Sequence, residues 1–291
     1  MKNIMRLEIH KALKNKLFVI PVLLGCALTV LSLVYCVNVY HHDIVSSGIA
    51  HMSTQNGFNP NIPAYTLFND WAGGEGFSLG TSVYFFIFPL LISIPYGWSY
   101  SEEKKKGYVG SVAARSGKLP YFLSKYAAVF ISGGLAMILP LVFNFFLSML
   151  FFPAIVPEVT YCTVYGIFAS SLMSGLFYTH PFLYVFFYLC LDFVYCGLLA
   201  CISLAASAWV RQKWVVVILP LFFCLAITYG QRFIYTSPTT VQYKQISPLY
   251  FLHPIELQHP ASWSVILISA AVIFIVTLSI HLLWEGRHEI Y

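Results

Sequence analysis

Apolar runs of membrane-spanning length alternate with short polar segments along this chain, and the lysines and arginines crowd into every second segment. That pattern limits the fold more than any other feature. Only 9% of the residues are charged and 59% are hydrophobic, where a soluble globular chain carries about 25% charged residues. One soluble core of this length has no need of so many uninterrupted apolar windows, so the surface faces lipid. The reading is an all-α polytopic membrane protein with six spans, near Leu17–Tyr40, Leu79–Trp98, Tyr126–Phe151, Phe182–Val210, Trp214–Gly230 and Ala261–Trp284. A bilayer core of about 30 Å asks for about 20 residues per helix. The fifth window is the shortest and contains Pro220.

The distribution of basic residues orients these spans. With the N-terminus inside, the cytosolic segments hold Lys2, Arg6, Lys11, Lys14, Lys16, Lys104, Lys105, Lys106, Arg115, Lys118, Lys125, Arg211, Lys213 and Arg287, which is 14 of 16. The other side keeps Arg232 and Lys244, beside Asp43, Asp70, Glu75, Glu158 and Glu256. Positive charge stays on the cytosolic side of a membrane, so both termini are expected there, in the plasma membrane. Tyr161–Tyr178, between the third and fourth spans, is apolar enough for a seventh crossing. A crossing there would put Arg211, Lys213 and Arg287 outside, so a re-entrant or interfacial helix on the outer face is the preferred reading. The first span is too long for the apolar region of a cleaved signal, about 7–15 residues. The net charge of +5 follows from topology and the anionic inner leaflet and does not mark a nucleic-acid surface.

Two outer loops stand out, His41–Ser78 with room for one short helix and Gln231–Pro260, which four prolines break. No second soluble domain and no internal repeat is evident. Residues 1–16 read as an interfacial amphipathic helix, with Met5, Ile9, Ala12 and Leu13 on one side and Lys11, Lys14 and His10 elsewhere. Six of the seven cysteines fall inside spans, only Cys162 lies in an outer segment, and no C-x-x-C pair occurs, so neither a zinc site nor a disulfide framework is expected.

Catalytic equipment is sparse. There is no H-E-x-x-H and no G-x-S-x-G. Gly110 and Gly117-Lys118 miss a phosphate-cradling loop, because six residues separate the glycines and Leu119 follows the lysine where Ser or Thr would hold Mg²⁺. The cytosolic loop from Ser101 to Lys125 carries more information. It runs from Glu102 and Glu103 through Lys104, Lys105 and Lys106 to a small-residue stretch at Gly107–Gly117, then Pro120 at a helix start. Taken alone, this is a solvated charge run that sets topology and offers mixed charge to a soluble partner.

The order of those residues resembles the first cytosolic loop of ABC-2 permeases, the membrane subunits of one class of ATP-binding-cassette transporter. Glu103 and Gly107 keep that family's first spacing, Ala114–Lys118 stands at its arginine-containing turn, and Ser124-Lys125 matches its closing pair. Tyr108 replaces the usual threonine, the proline before the turn is missing, and Lys118 ends it in place of arginine. The resemblance implies that residues 99–120 form a coupling helix seated on a separate ATPase subunit. Glu102, Glu103, Lys104, Lys105, Lys106, Gly107, Arg115 and Lys118 would be the contact residues. It further implies two ATPase copies holding the ATP and Mg²⁺, a second permease chain (identical or not), and no enzymatic activity or cofactor in this chain.

Asp192 is the one acid well inside a span, about nine residues and so about 14 Å from its outer edge. A carboxylate at that depth needs a proton, a partner or a cavity. Tyr188, Tyr195 and Cys196 share its helical face and are placed to donate hydrogen bonds. Asp192, Tyr188 and Tyr195 thus form either a site for a cationic group or proton, or a structural carboxyl held by tyrosines. His281 is read as an interfacial anchor. The expected function is export of a hydrophobic or amphipathic substrate, lipid or antimicrobial peptide, driven by the partner's ATP. The rivals are an intramembrane enzyme pairing Asp192 with His180 or His281, and a non-transporting anchor for a soluble complex.

Overall fold

The computed structural model describes residues 2–42, 64–159, 166–168, 171–210, 212–235, 243–253, 255 and 259–284. The regular elements among them are helices. In chain order they are α1 (Lys2–Lys14), α2 (Lys16–Tyr40), α3 (Leu67–Asp70), α4 (Leu79–Leu91), α5 (Ser99–Lys105) and α6 (Tyr108–Ser116). There follow α7 (Lys118–Ser148), α8 (Ser174–Thr179), α9 (Pro181–Ala206), α10 (Lys213–Ile234), α11 (Pro248–Phe251) and α12 (Trp263–Ser279), which runs on as a π turn over Ile280–Trp284.

This is the fold of a multi-pass membrane protein. Five of the helices, α2, α7, α9, α10 and α12, are long and apolar enough to cross a bilayer. Their outward faces carry large apolar side chains that a soluble protein would hide, such as Leu23 at 63% and Phe222 at 64% exposure. The expected second span differs. Its regular helix ends at Leu91 after 13 residues, about 20 Å and short of the hydrocarbon core. Pro95 lacks the N–H that would carry the helix forward, and the chain passes through successive turns to Trp98. The third expected span starts at Lys118, eight residues ahead of the expected Tyr126, and takes in Lys125. The fifth is longer than expected at 22 residues despite Pro220.

Within Tyr161–Tyr178 the one regular element among the described residues is the start of α8, whose six residues are too short to cross; residues 161–165 and 169–170 lie outside the described residues. So do most of the His41–Ser78 loop, Cys162, Arg211, Glu256 and Arg287. The short helix expected in that first outer loop is α3, capped by Thr66, whose hydroxyl accepts the Asn69 N–H at 3.2 Å.

α7 is the axis around which the rest assembles, packed by α1, α2 and α9, while α4 joins α2 to α10 and α9 carries α10 and α12. Small residues set the α7–α9 distance. A Cβ on Gly134 would meet the Phe193 carbonyl oxygen at 2.6 Å, and one on Gly197 the Phe130 carbonyl oxygen at 2.8 Å, so each glycine lies directly on the partner backbone. Helices this close gain dispersion contacts where lipid gives no hydrophobic drive. Beside Pro140 a neighbour also bonds the α7 backbone: Tyr84 of α4 donates to the Met137 carbonyl at 2.6 Å. Asn144 of α7 donates to the Thr29 carbonyl at 2.7 Å and accepts the Ala72 N–H at 2.8 Å, tying α2 and the α3 turn to the same end of the bundle.

Candidate functional site

At the bundle end that carries α1 and the α5–α6 loop, a lysine is buried in the second turn of α7. Lys125 is 0% exposed, a state that type reaches only when its charge is matched. Its Nζ donates to Glu8 Oε2 of α1 at 3.1 Å, to Glu103 Oε1 of α5 at 2.8 Å and to the Tyr96 hydroxyl at 3.1 Å. All three ammonium donors are therefore used. Tyr96 also stacks its ring under that cation, with Nζ 4.3 Å from the centroid, and donates its own hydroxyl to Glu8 at 2.8 Å. Tyr121, one turn before Lys125 on α7, donates to the other oxygen of Glu103.

The network reaches the surface through Lys11, which donates to Glu8 Oε1 at 2.8 Å and to the Tyr108 hydroxyl of α6 at 3.1 Å. Two acids and two lysines thus balance, and α1, α5, α6 and α7 are fastened into one platform. Asn15 completes the join: it caps α2 by accepting the Leu17 N–H at 3.1 Å, and its Nδ2 faces the Pro95 carbonyl at 3.4 Å. A cleft of about 640 Å³ opens between α1 and the loop, lined by Lys11, Tyr96, Trp98, Glu102 and Tyr108.

Burial pushes the Glu8 carboxyl up, but the Lys125 ammonium and the bonds from Lys11 and Tyr96 outweigh it and leave its pKa lowered. Burial likewise opposes the Lys11 charge, and its bonds to Glu8 and Tyr108 leave it raised. The signs define a window. A lowered acid contributes stability that is full above its ordinary value, 4.5, and lost as pH falls through the folded value. A raised lysine contributes below its ordinary value, 10.5, and loses that as pH rises through the folded value. The protection factors of α1 amides, exchange rates corrected for their intrinsic pH dependence, are therefore expected to stay high from about pH 5 to 10 and to fall below 4.5. Flat protection down to pH 3 would separate the platform from these charges.

Of the residues expected to meet a partner, Glu103 turns inward to hold the platform. Glu102 pairs only with Lys106, at 2.9 Å on the surface. Lys104 reaches the Ala208 carbonyl at 3.3 Å, while Lys105, Arg115 and Lys118 are exposed. Gly107 (φ 68°) and Gly117 (φ 84°) bracket α6 in the left-handed region, each ending one helix and re-aiming the next. Residues 99–116 thus form two helices in place of one, α5 anchored and α6 outward. Sequence reasoning passed over Glu8. The available signal was that it is the only acid before Asp43 and lies between Met5 and Ala12 on the apolar stripe.

Asp192 is fully buried in α9 with neither carboxyl oxygen hydrogen-bonded. The expected donors are otherwise engaged: Tyr188 donates to the Phe251 carbonyl at 3.1 Å and Tyr195 to Ser269 at 3.0 Å, which moor α9 to α11 and α12. Tyr84, Tyr184, Tyr188 and Cys196 lie within electrostatic reach of it. Among the described residues no histidine bonds it. His281 is itself fully buried, between the rings of Tyr100 and Phe122 with centroids at 5.6 and 5.2 Å, rather than anchored at an interface. Among the described residues no three metal-ligating side chains converge.

At the other end of the bundle Glu75 folds the turn before α4. It accepts the backbone N–H of Phe77 and Ser78, and the Ser32 hydroxyl of α2 at 3.1 Å. Its carbonyl faces His253 Nε2 at 3.1 Å, and the His253 ring stacks on Phe85 at 4.0 Å. Nearby Asp70 is pushed up by burial and by the Glu75 charge. Compared with protein-family models, with curated proteins and with solved structures, the chain matches none.

Proposed function

We propose that this chain is the membrane permease subunit of an ATP-driven exporter of ABC-2 type, crossing the plasma membrane six times with both termini in the cytosol. The sixth crossing is α4 with the turns to Trp98. α1 lies along the inner headgroups, and Tyr161–Tyr178 stays on the outer side. The cargo is a hydrophobic or amphipathic molecule, a lipid or a membrane-active peptide. Two ATPase subunits and a second permease chain complete the assembly, and the hydrolysis belongs to the partners.

The observation that carries this reading is the charge-linked platform. A subunit moved from outside needs a cytosolic element that takes a push and cannot yield locally. α6 offers the exposed Arg115 and the neighbouring exposed Lys118. Behind them, Lys11 ties α6 to α1, and Lys125 ties α1 and α5 to the longest helix of the bundle. Motion at the loop then becomes a rigid shift of α7 and its neighbours.

The test is capture of the tagged full chain from its native membrane in mild detergent, with mass spectrometry of what accompanies it. A P-loop ATPase is expected in stoichiometric amount. Charge reversal at the exposed Arg115, Arg115→Glu, is expected to cut its recovery at least about tenfold with the chain's own thermal stability unchanged. Glu103 is the wrong position to vary, since its loss undoes the platform itself. An intact chain that brings down no ATPase sinks the proposal.

A further inference from the structure

The end of the bundle opposite the platform carries a pocket of about 320 Å³ between α4, α10 and α11, at the small end of ligand-site volumes, about 300–1,000 Å³. One formal charge lines it. Arg232, in the last turn of α10, lies over the Tyr229 ring at 5.7 Å, and among the described residues no carboxylate pairs with it. The other ionisable group in the wall, His253, adds no charge, since burial pushes its imidazole down to about 4 and its Nε2–H is given to the Glu75 carbonyl. Ser82 and Tyr250, both hydroxyl-bearing, line the same space. The rest of the wall is apolar, with Phe86 and Leu225 among it, and the apolar surface continues outward along α10 through Tyr229 at 57% and Phe233 at 85% exposure.

A lone guanidinium beside hydroxyls, at the mouth of a groove that runs into exposed apolar surface, matches one ligand chemistry. We infer that this pocket binds an amphiphile with a single phosphate-type anionic head, the head on Arg232 and the tail along Phe86 and Leu225. A helix-terminal arginine in open solvent would satisfy the helix dipole alone. Here the same cation also walls a cavity with hydroxyl donors, which fixes a head group as well as attracting it. The head can belong to a bilayer phospholipid or to a free single-chain amphiphile. No ATPase enters the site, so it stands apart from the permease reading.

The full chain, purified in neutral detergent, is titrated with short-chain phosphatidylglycerol, with phosphatidylcholine of the same chain length, and with dodecyl phosphate, and bound molecules are counted by native mass spectrometry. At least one of the two anions is expected to bind in preference to phosphatidylcholine. Its affinity should fall at least about tenfold in Arg232→Gln, return in part in Arg232→Lys, and be unchanged in Lys244→Gln, which removes the other basic residue of this end. Preference for phosphatidylglycerol names the bilayer lipid as occupant, and preference for dodecyl phosphate names the single-chain amphiphile. Equal binding of the three probes, binding of neither anion, or full anion binding by a stably folded Arg232→Gln overturns the site.

Discussion

Lys125→Met is expected to destabilise the folded chain by about 3–5 kcal/mol, the cost of breaking a buried ion pair from one side. The methionine fills the volume of the lysine stem but leaves Glu8 and Glu103 facing each other, both at the centre of the platform. Thermal unfolding in detergent measures the loss, and hydrogen exchange locates it, since α1 and α5 should lose protection before α9 does. The triple variant Glu8→Gln, Lys125→Met, Glu103→Gln is expected to regain most of the stability, because no buried charge is then left uncompensated and Lys11, 35% exposed, can turn to solvent. A single variant within about 0.5 kcal/mol of the parent would show that Lys125 does not hold these helices together.

Gly134→Val carries a comparable penalty for a different reason. Its first added carbon falls 2.6 Å from the Phe193 carbonyl oxygen, which is backbone and cannot rotate away. α7 and α9 must separate, at a cost of at least about 3 kcal/mol, the upper end of overpacking in a filled core. Gly175→Ala is the matched control, since nothing lies within 4 Å of the added carbon there. If both variants melt alike, the two helices are not held at the spacing described.

How much of this was legible beforehand depended on the range over which each feature is encoded. The long helices are written locally, in runs of apolar residues, and five expected windows reappear with ends shifted by a few residues, apart from the start of the third. That start moved because Lys118 and Lys125 look like loop in a hydropathy window, while Lys125 is in fact inside the bundle with its charge matched. The second window failed as one helix because hydropathy does not register the missing N–H of Pro95. Gly107 takes a left-handed backbone after α5, a conformation that glycine adopts without a steric cost. The site itself is non-local. Glu8 sits on a stripe that read as apolar, and only the fold brings it to Lys125 and Glu103. The same limit applies to Asp192, whose neighbours on its own helix were identified, while their partners on α11 and α12 were invisible.

The link from Glu8 to Lys125 joins residues 117 positions apart. During synthesis, α1 and α2 leave the ribosome long before the helix that carries their counter-ion. For that interval, of the ion-pair partners described for Glu8, Lys11 alone has been made. The docking of α1 onto α7 through this pair therefore waits until Lys125 has been made. A chain cut short before Lys125 keeps Glu8 but lacks its buried counter-ion and cannot complete the platform.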